Sequence, residues 1–196
     1  MARENIMQAL IKGMFLNILL NYLKKNSHDL VTEKVSKMLD KPLKYVDFFD
    51  YPIEEFILLI EEIIKQVFPD KTFEEACYEL GRISVEGIII SPVAKVAIAY
   101  AKKNIQGAIK NTPFYFSQFA KMGKVSVNQK SDYIFNVVFK AWKIYPYYAY
   151  GLLVFVLKEI DAKLKLKLEV ANVKILGLGK VESDFTCILE LPEGKK

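Results

Sequence analysis

The spacing of apolar positions changes late in the chain, and that change defines the elements around it. Tyr145 to Leu157 is almost wholly apolar, which predicts a helix buried on all sides between a sheet and other helices. From Lys163 to Val170, charged residues alternate with Leu164, Leu166, Leu168 and Val170. That is the period of a half-buried strand. Gly177 and Gly179 mark a turn, after which Phe185, Cys187, Leu189 and Leu191 alternate again. Strands joined this tightly pair antiparallel.

Upstream, Ile6, Met7, Leu10, Ile11, Met14, Phe15, Ile18, Leu19 and Tyr22 recur at helical spacing and predict an amphipathic first helix ending near Lys24–Asn26. Val31 to Leu39 predicts a short second helix, stopped before Pro42, with a loop from Lys41 to Asp50. Asp50 is positioned as an N-cap, with Pro52 near the first helical position and Glu54 and Glu55 in the first turn; that helix runs to about Phe68. Thr72 and Glu75 have capping-box spacing and open a helix with Phe73, Ala76, Cys77, Leu80 and Ile83 inward. Its Gly81 and Gly87 imply close helix approach or a bend. Ser91-Pro92 starts a helix through about Lys103, a short helix or turn covers Ile105 to Lys110, and Thr112-Pro113 breaks the pattern. Lys124 to Gln129 and Tyr133 to Trp142 predict strands, the second placing Tyr133, Phe135, Val137, Phe139 and Ala141 on one face. The order is five or six helices and then β-β-α-β-β. This is an α+β fold: a helical layer on an antiparallel sheet, one domain over 1–196, with 1–112 mainly helical and 113–196 holding the sheet and its central helix.

Composition narrows the function classes. Of the 196 residues, 52% are hydrophobic and 13% aromatic, enough for a large core or an internal apolar cavity. The longest apolar run is too short to span a bilayer, and the N-terminal stretch lacks the form of a secretory signal. Cys77 and Cys187 stand far apart, as suits a reducing cytoplasm. The net charge of +5 is spread over scattered lysines, which reads as solvation rather than nucleic-acid binding. The abundance of lysine and glutamate is compatible with a thermophile.

Candidate chemistry is sparse. Gly177-Leu-Gly179-Lys180 lacks the glycine spacing and following helix of a phosphate loop. Cys77 has no neighbouring histidine or basic cluster to activate it. Asp47, Asp50, Glu54 and Glu55 could form an acidic metal patch, but capping and dipole roles for Asp50, Glu54 and Glu55 explain most of it. Arg82 has Glu86 at i+4 as a partner, or binds an anion if it lies in a cavity. No nucleophile–base pair or metal cluster argues for an enzyme.

Several short stretches carry a resemblance: Ile11-Lys-Gly-Met-Phe15, Tyr51-Pro-Ile-Glu-Glu-Phe56, Val67-Phe-Pro-Asp70, Glu75-Ala-Cys-Tyr-Glu-Leu-Gly-Arg82 with Val85-Glu-Gly87, and Pro146-Tyr-Tyr-Ala-Tyr-Gly-Leu-Leu153. They resemble a family of uncharacterised bacterial proteins abundant in myxobacteria. The C-terminal half is also similar to a wider superfamily of heme nitric-oxide-binding domains, vinyl-reductase-type ligand-binding domains and Bet3-type tethering subunits. The resemblance implies helices over an antiparallel sheet, frequent dimerisation and, in several members, an enclosed apolar ligand or acyl chain. Two departures stand out. Cys187 matches the second of a cysteine pair in the vinyl-reductase-type domains, but Ala171-Asn172-Val173 supplies no first thiol, so zinc is not expected. The heme-binding branch needs an axial histidine on a middle helix, whereas the one histidine is His28, at the end of the first helix. The expectation is therefore no cofactor, with a Tyr, Met or Cys ligand as the alternative if heme is present.

The combined reading is a non-enzymatic module that binds an apolar small molecule or acyl chain, or signals, as a cytoplasmic homodimer. The alternatives are a structural homodimer without a ligand and a heme sensor with an atypical axial ligand. Dimerisation is expected through helices near Ile6–Tyr22 and Pro52–Phe68. The expected ligand residues are Phe114, Phe116, Phe119, Tyr133, Phe135, Trp142, Tyr147, Tyr148 and Phe155, with Tyr115 beside them, lining an elongated cavity. Arg82 or a tyrosine hydroxyl fixes its polar end.

Overall fold

Alternating strands after Lys124 leave one apolar face in need of cover, and the helices before them supply it. A computed structural model describes residues 8–192. The chain runs β1 (Leu10–Lys12), α1 (Gly13–Lys25), α2 (Asp29–Leu39), β2 (Asp50–Pro52), α3 (Ile53–Val67), α4 (Phe73–Ile89), α5 (Pro92–Lys103), α6 (Ile105–Lys110) and α7 (Thr112–Phe119). It continues with β3 (Ala120–Lys121), β4 (Lys124–Gln129), β5 (Ile134–Trp142), α8 (Pro146–Ile160), β6 (Lys165–Gly177) and β7 (Lys180–Glu190). The main sheet has the order β4-β5-β7-β6 and every pairing in it is antiparallel. The α+β architecture is thus the one expected. A small sheet, β2-β1-β3, joins the start of the described chain to its middle.

Phe15, Leu16 and Leu19 of α1, Phe56, Ile57, Leu59 and Ile60 of α3 and Ala76, Cys77 and Leu80 of α4 form the main core with Val137, Phe139, Phe185 and Cys187 of the sheet. A smaller cluster seats Ile105 and Ile109 of α6 against Phe135, Leu189 and Leu191. Thr72 and Glu75 form the expected capping box, and the Ser91 hydroxyl caps α5. Among the described residues no single helix is long and apolar enough to cross a membrane.

Several local expectations are corrected. Ile6 and Met7 lie outside the described residues, and Leu10–Lys12 is a strand, so the first helix begins at Gly13. Asp50 is not a helix cap. Pro52 holds that position, and the Asp50 carboxylate bridges Lys12 at 2.6 Å and Lys121 at 2.5 Å, tying β2 to β1 and β3. Both lysines hold its carboxyl below the usual carboxylate range. Phe73 is 39% exposed rather than inward, because it sits at the open end of α4 against Tyr145. Thr112-Pro113 starts a helix instead of ending one, the proline occupying the first turn, where its missing N–H costs nothing. α8 is enclosed at Tyr148, Ala149 and Gly151, but Leu152 to Leu157 stay half-buried, because its close neighbour α4 covers one side.

α3 has ten of its fifteen residues buried in the chain's own core.

Candidate functional site

β5 sets the geometry of the first candidate site. Phe135, Val137 and Phe139 point into the core. A bulge then interrupts pairing between Phe139 and Trp142. Ala141 takes a positive φ of 50°, and its N–H donates to the Asp184 carboxylate at 2.8 Å. The extra residue shifts the phase of the strand, so Trp142 is buried where alternation predicted Ala141. Gly123, at φ 57°, lies so close to the Ala141 and Lys140 carbonyls that an added Cβ would sit 2.6 Å from each.

Over this bulge lies a groove of about 330 Å³, with α7 and β3 on one side and β4 and β5 on the other. Pro113, Phe116, Met122, Val125 and Trp142 are its apolar walls, with Lys121 and Lys143 beside them. Phe116, Phe139 and Trp142 meet edge to face at centroid distances between 5.2 and 5.6 Å. Phe139 stacks flat on Phe185 at 4.4 Å. Trp142 is 3% exposed and its indole N–H has no hydrogen-bond partner. Buried donors normally have one, so this unsatisfied donor stands out. Lys121 is paired with Asp50 and Lys143 with Glu182.

The ten residues expected to line one cavity are not gathered into one. Phe116 and Trp142 share the groove just described. Phe119 packs on Phe15, Phe135 and Tyr133 belong to the smaller cluster, and Phe114 is exposed. Tyr148 is in the main core, its hydroxyl donating to Ser84 at 2.7 Å and its ring against Phe56. Tyr147 lines a second groove with Tyr78 and Tyr150. Phe155 lies between Tyr78 and the side chains of Arg82 and Lys158. Arg82 pairs with Glu79 and with Glu86, the partner expected at i+4.

The reactive candidates are quiet. Burial pushes the Cys187 thiol up to about 12 and raises that of Cys77 further, with Glu74 and Glu61 adding to it. Tyr145 and Tyr45 are raised by burial and by bonds to Glu61 and Glu55. Among the described residues no group of three or more His, Cys, Asp or Glu is placed to hold a metal ion. Sequence reasoning missed Pro113, Met122, Gly123, Val125 and Lys143 of the groove. Of these, the Pro113 helix start and Gly123 before a strand were the available signals.

The fold is similar to that of solved H-NOX domains. It superposes on a doubly substituted Tt H-NOX with a TM-score of 0.66 at 13% identity, covering 95% of this chain and 100% of that one. An H-NOX protein from S. oneidensis in the Fe(II)NO ligation state matches at 0.65 and 11%, covering 93% and 100%. A structure described as modulating heme redox potential through porphyrin distortion matches at 0.64 and 12%, covering 92% and 100%. The chain itself belongs to the DUF2378 family, proteins of unknown function, whose model matches residues 5–174. Comparison with curated proteins found no match.

These likenesses overturn the expectation of a chain without a cofactor, since one solved structure of this fold is described by its heme and another by its Fe(II)NO state. Histidine ligation does not fit: His28 is at the N-cap of α2 and is not among the groove residues. Among the groove residues, Met122 carries an atom of a known heme-ligand type, the thioether sulfur.

Proposed function

We propose that this chain is a sensor module that takes a planar, largely apolar ligand in the Trp142 groove and passes its binding to a partner. Heme is the first occupant to test, and this replaces the earlier preference for a purely apolar molecule. The observation that carries the reading is the buried Trp142 N–H left without an acceptor, in the wall of a groove on an H-NOX-like fold.

Each residue has a separate task. Phe116 and Trp142 supply aromatic surface for a flat ligand. The indole N–H donates to an acceptor and so fixes orientation. Met122, 6% exposed, is the wall residue with a ligating atom. A bound heme would supply iron chemistry toward a small gas. The groove volume is at the low end of the range for ligand pockets, about 300–1,000 Å³. α7 forms one wall and has no buried residue, so it is the element with least to lose by moving outward as a ligand enters.

The test is titration of the purified full chain with hemin, followed by visible absorption and thermal melting. Saturable growth of a Soret band and a rise in Tm support the reading, because a ligand that binds only the folded state must stabilise it. Met122→Leu should alter or abolish the band while Glu74→Gln leaves it intact. Absence of both a Soret band and a Tm shift would retire heme. Native mass spectrometry with no co-purified molecule would then retire the ligand reading as well.

The module is further proposed to act as a homodimer through the outer face of α1, with isologous packing. Light scattering giving one chain mass at micromolar concentration would refute that.

A further inference from the structure

A second groove, of about 460 Å³, runs between α4 and α8 and shares no residue with the Trp142 groove. Tyr78 of α4 and Tyr147 and Tyr150 of α8 line it together with Glu74, Glu75 and Glu79. The rings of Tyr78 and Tyr150 are 5.7 Å apart and tilted by 44°, so they form an open wedge rather than a closed stack. The Tyr150 hydroxyl donates to the Leu166 carbonyl at 2.9 Å, which anchors that ring to the sheet.

The same aromatic strip already accepts cations at its other end. Tyr78 continues to Phe155 at 5.8 Å. Over the Phe155 ring lie the Arg82 guanidinium at 5.9 Å and the Lys158 ammonium at 5.1 Å. Cations sit over aromatic faces because the ring quadrupole attracts them. At the open end no cation among the described residues plays that part. Lys71, the lysine on this groove, is placed over Phe68 at 6.0 Å.

The carboxylates divide in the same way. Glu75 is taken by Thr72, accepting from its N–H at 2.9 Å and its hydroxyl at 3.0 Å. Glu79 is taken by Arg82. Glu74 forms no hydrogen bond or ion pair with the described residues, and so keeps its charge for something outside the chain. Three tyrosine rings beside one unspent carboxylate select for positive charge.

We propose that the Tyr78–Tyr147–Tyr150 groove binds an organic cation, an ammonium or guanidinium group, over its tyrosine faces and against Glu74. The shallow, open form of the groove suits a small alkylammonium or the exposed end of a basic side chain equally well, because both present the same charged head.

The probe is tetramethylammonium chloride, added to the full chain carrying ¹³C-labelled tyrosine, with NaCl adjusted to constant ionic strength. N-acetylargininamide is the second arm and tert-butanol, a neutral molecule of similar shape, the control. Saturable shifts of the Tyr78, Tyr147 and Tyr150 ring signals with either cation, and none with tert-butanol, are expected. The tighter of the two cations identifies the source. Tyr147→Ala should weaken binding about two- to fivefold, the worth of one exposed ring. Tyr147→Phe should restore it, and Glu74→Gln should weaken it and reduce its salt dependence. Linear shifts without saturation, equal shifts with tert-butanol, or unchanged affinity in both Tyr147→Ala and Glu74→Gln would overturn the proposal. Because no groove residue is shared, neither result depends on hemin binding.

Discussion

Gly151 is the position where one methyl group tests the fold most directly. It faces Gly81 across the α4–α8 crossing. A Cβ built on Gly151 would stand 2.2 Å from the Tyr78 carbonyl oxygen, and one on Gly81 would stand 2.3 Å from that of Tyr148. Both obstacles are backbone, so no rotamer change relieves them. Ordinary contact begins near 3.4 Å, so Gly151→Ala requires the helices to part by about 1.2 Å. Separation strains the Tyr148–Ser84 hydrogen bond and the Phe56–Tyr148 contact beneath the crossing. Overpacking of this kind costs about 1–3 kcal/mol, occasionally more. Alanine returns about 1 kcal/mol through its better helix propensity. Because both obstacles are backbone, the cost falls at about 2–3 kcal/mol, and the net expectation is a loss of about 1–2 kcal/mol for alanine and more for Gly151→Leu. At this chain length about 1 kcal/mol moves Tm by roughly 2–4 °C, so Gly151→Ala should melt some 2–8 °C lower by circular dichroism. Gly81→Ala should cost a similar amount, and the double variant less than the sum, because the first methyl already opens the crossing. An unchanged or higher Tm for Gly151→Ala would mean that propensity wins and that the two backbones are not in contact.

Phe139→Ala should cost about 3–5 kcal/mol in urea unfolding, because the ring is fully buried and touches Phe116, Trp142 and Phe185; a loss under about 1 kcal/mol would contradict that packing. Glu62 is buried, which raises its pKa, but bonds from Lys34, Gln66 and Lys65 prevail and hold it below the usual 4.5. Its contribution is therefore present above pH 4.5 and lost as pH falls through the lowered folded value, so Glu62→Gln should flatten the acid limb of stability against pH. Asp50→Ala should destabilise by roughly 0.5–2 kcal/mol, for two partly exposed ion pairs. That loss should shrink in 1 M NaCl; salt-independent destabilisation would place the role of Asp50 elsewhere.

The elements were legible in the sequence wherever a local rule decides them. The Thr72–Glu75 box, the Ser91-Pro92 start, the alternation in β5 and β7 and the hairpin at Gly177 and Gly179 are all settled by residues within a few positions of one another. Gly81 announced close packing by its cost within a helix, although it does not name its partner. The order β-β-α-β-β followed from those pieces, and with it the antiparallel sheet.

Other features were decided only by tertiary structure. Asp50 has the composition of a cap, but two lysines, one 38 positions before it and one 71 after, draw it into a strand. The bulge at Ala141 depends on the Asp184 carboxylate from a neighbouring strand, so the phase change that buries Trp142 is invisible to alternation. The aromatic residues read as one cavity because composition counts rings without placing them. Folding distributes them among two core clusters and two grooves. Ring packing consumes most of their faces, and which rings border a groove, Trp142 in one and Tyr147 in the other, is set by where α7 and α4 come to rest. A linear pattern records which side of its own element a residue occupies. Whether that side meets another side chain or a space for a ligand depends on contacts between segments far apart in the chain.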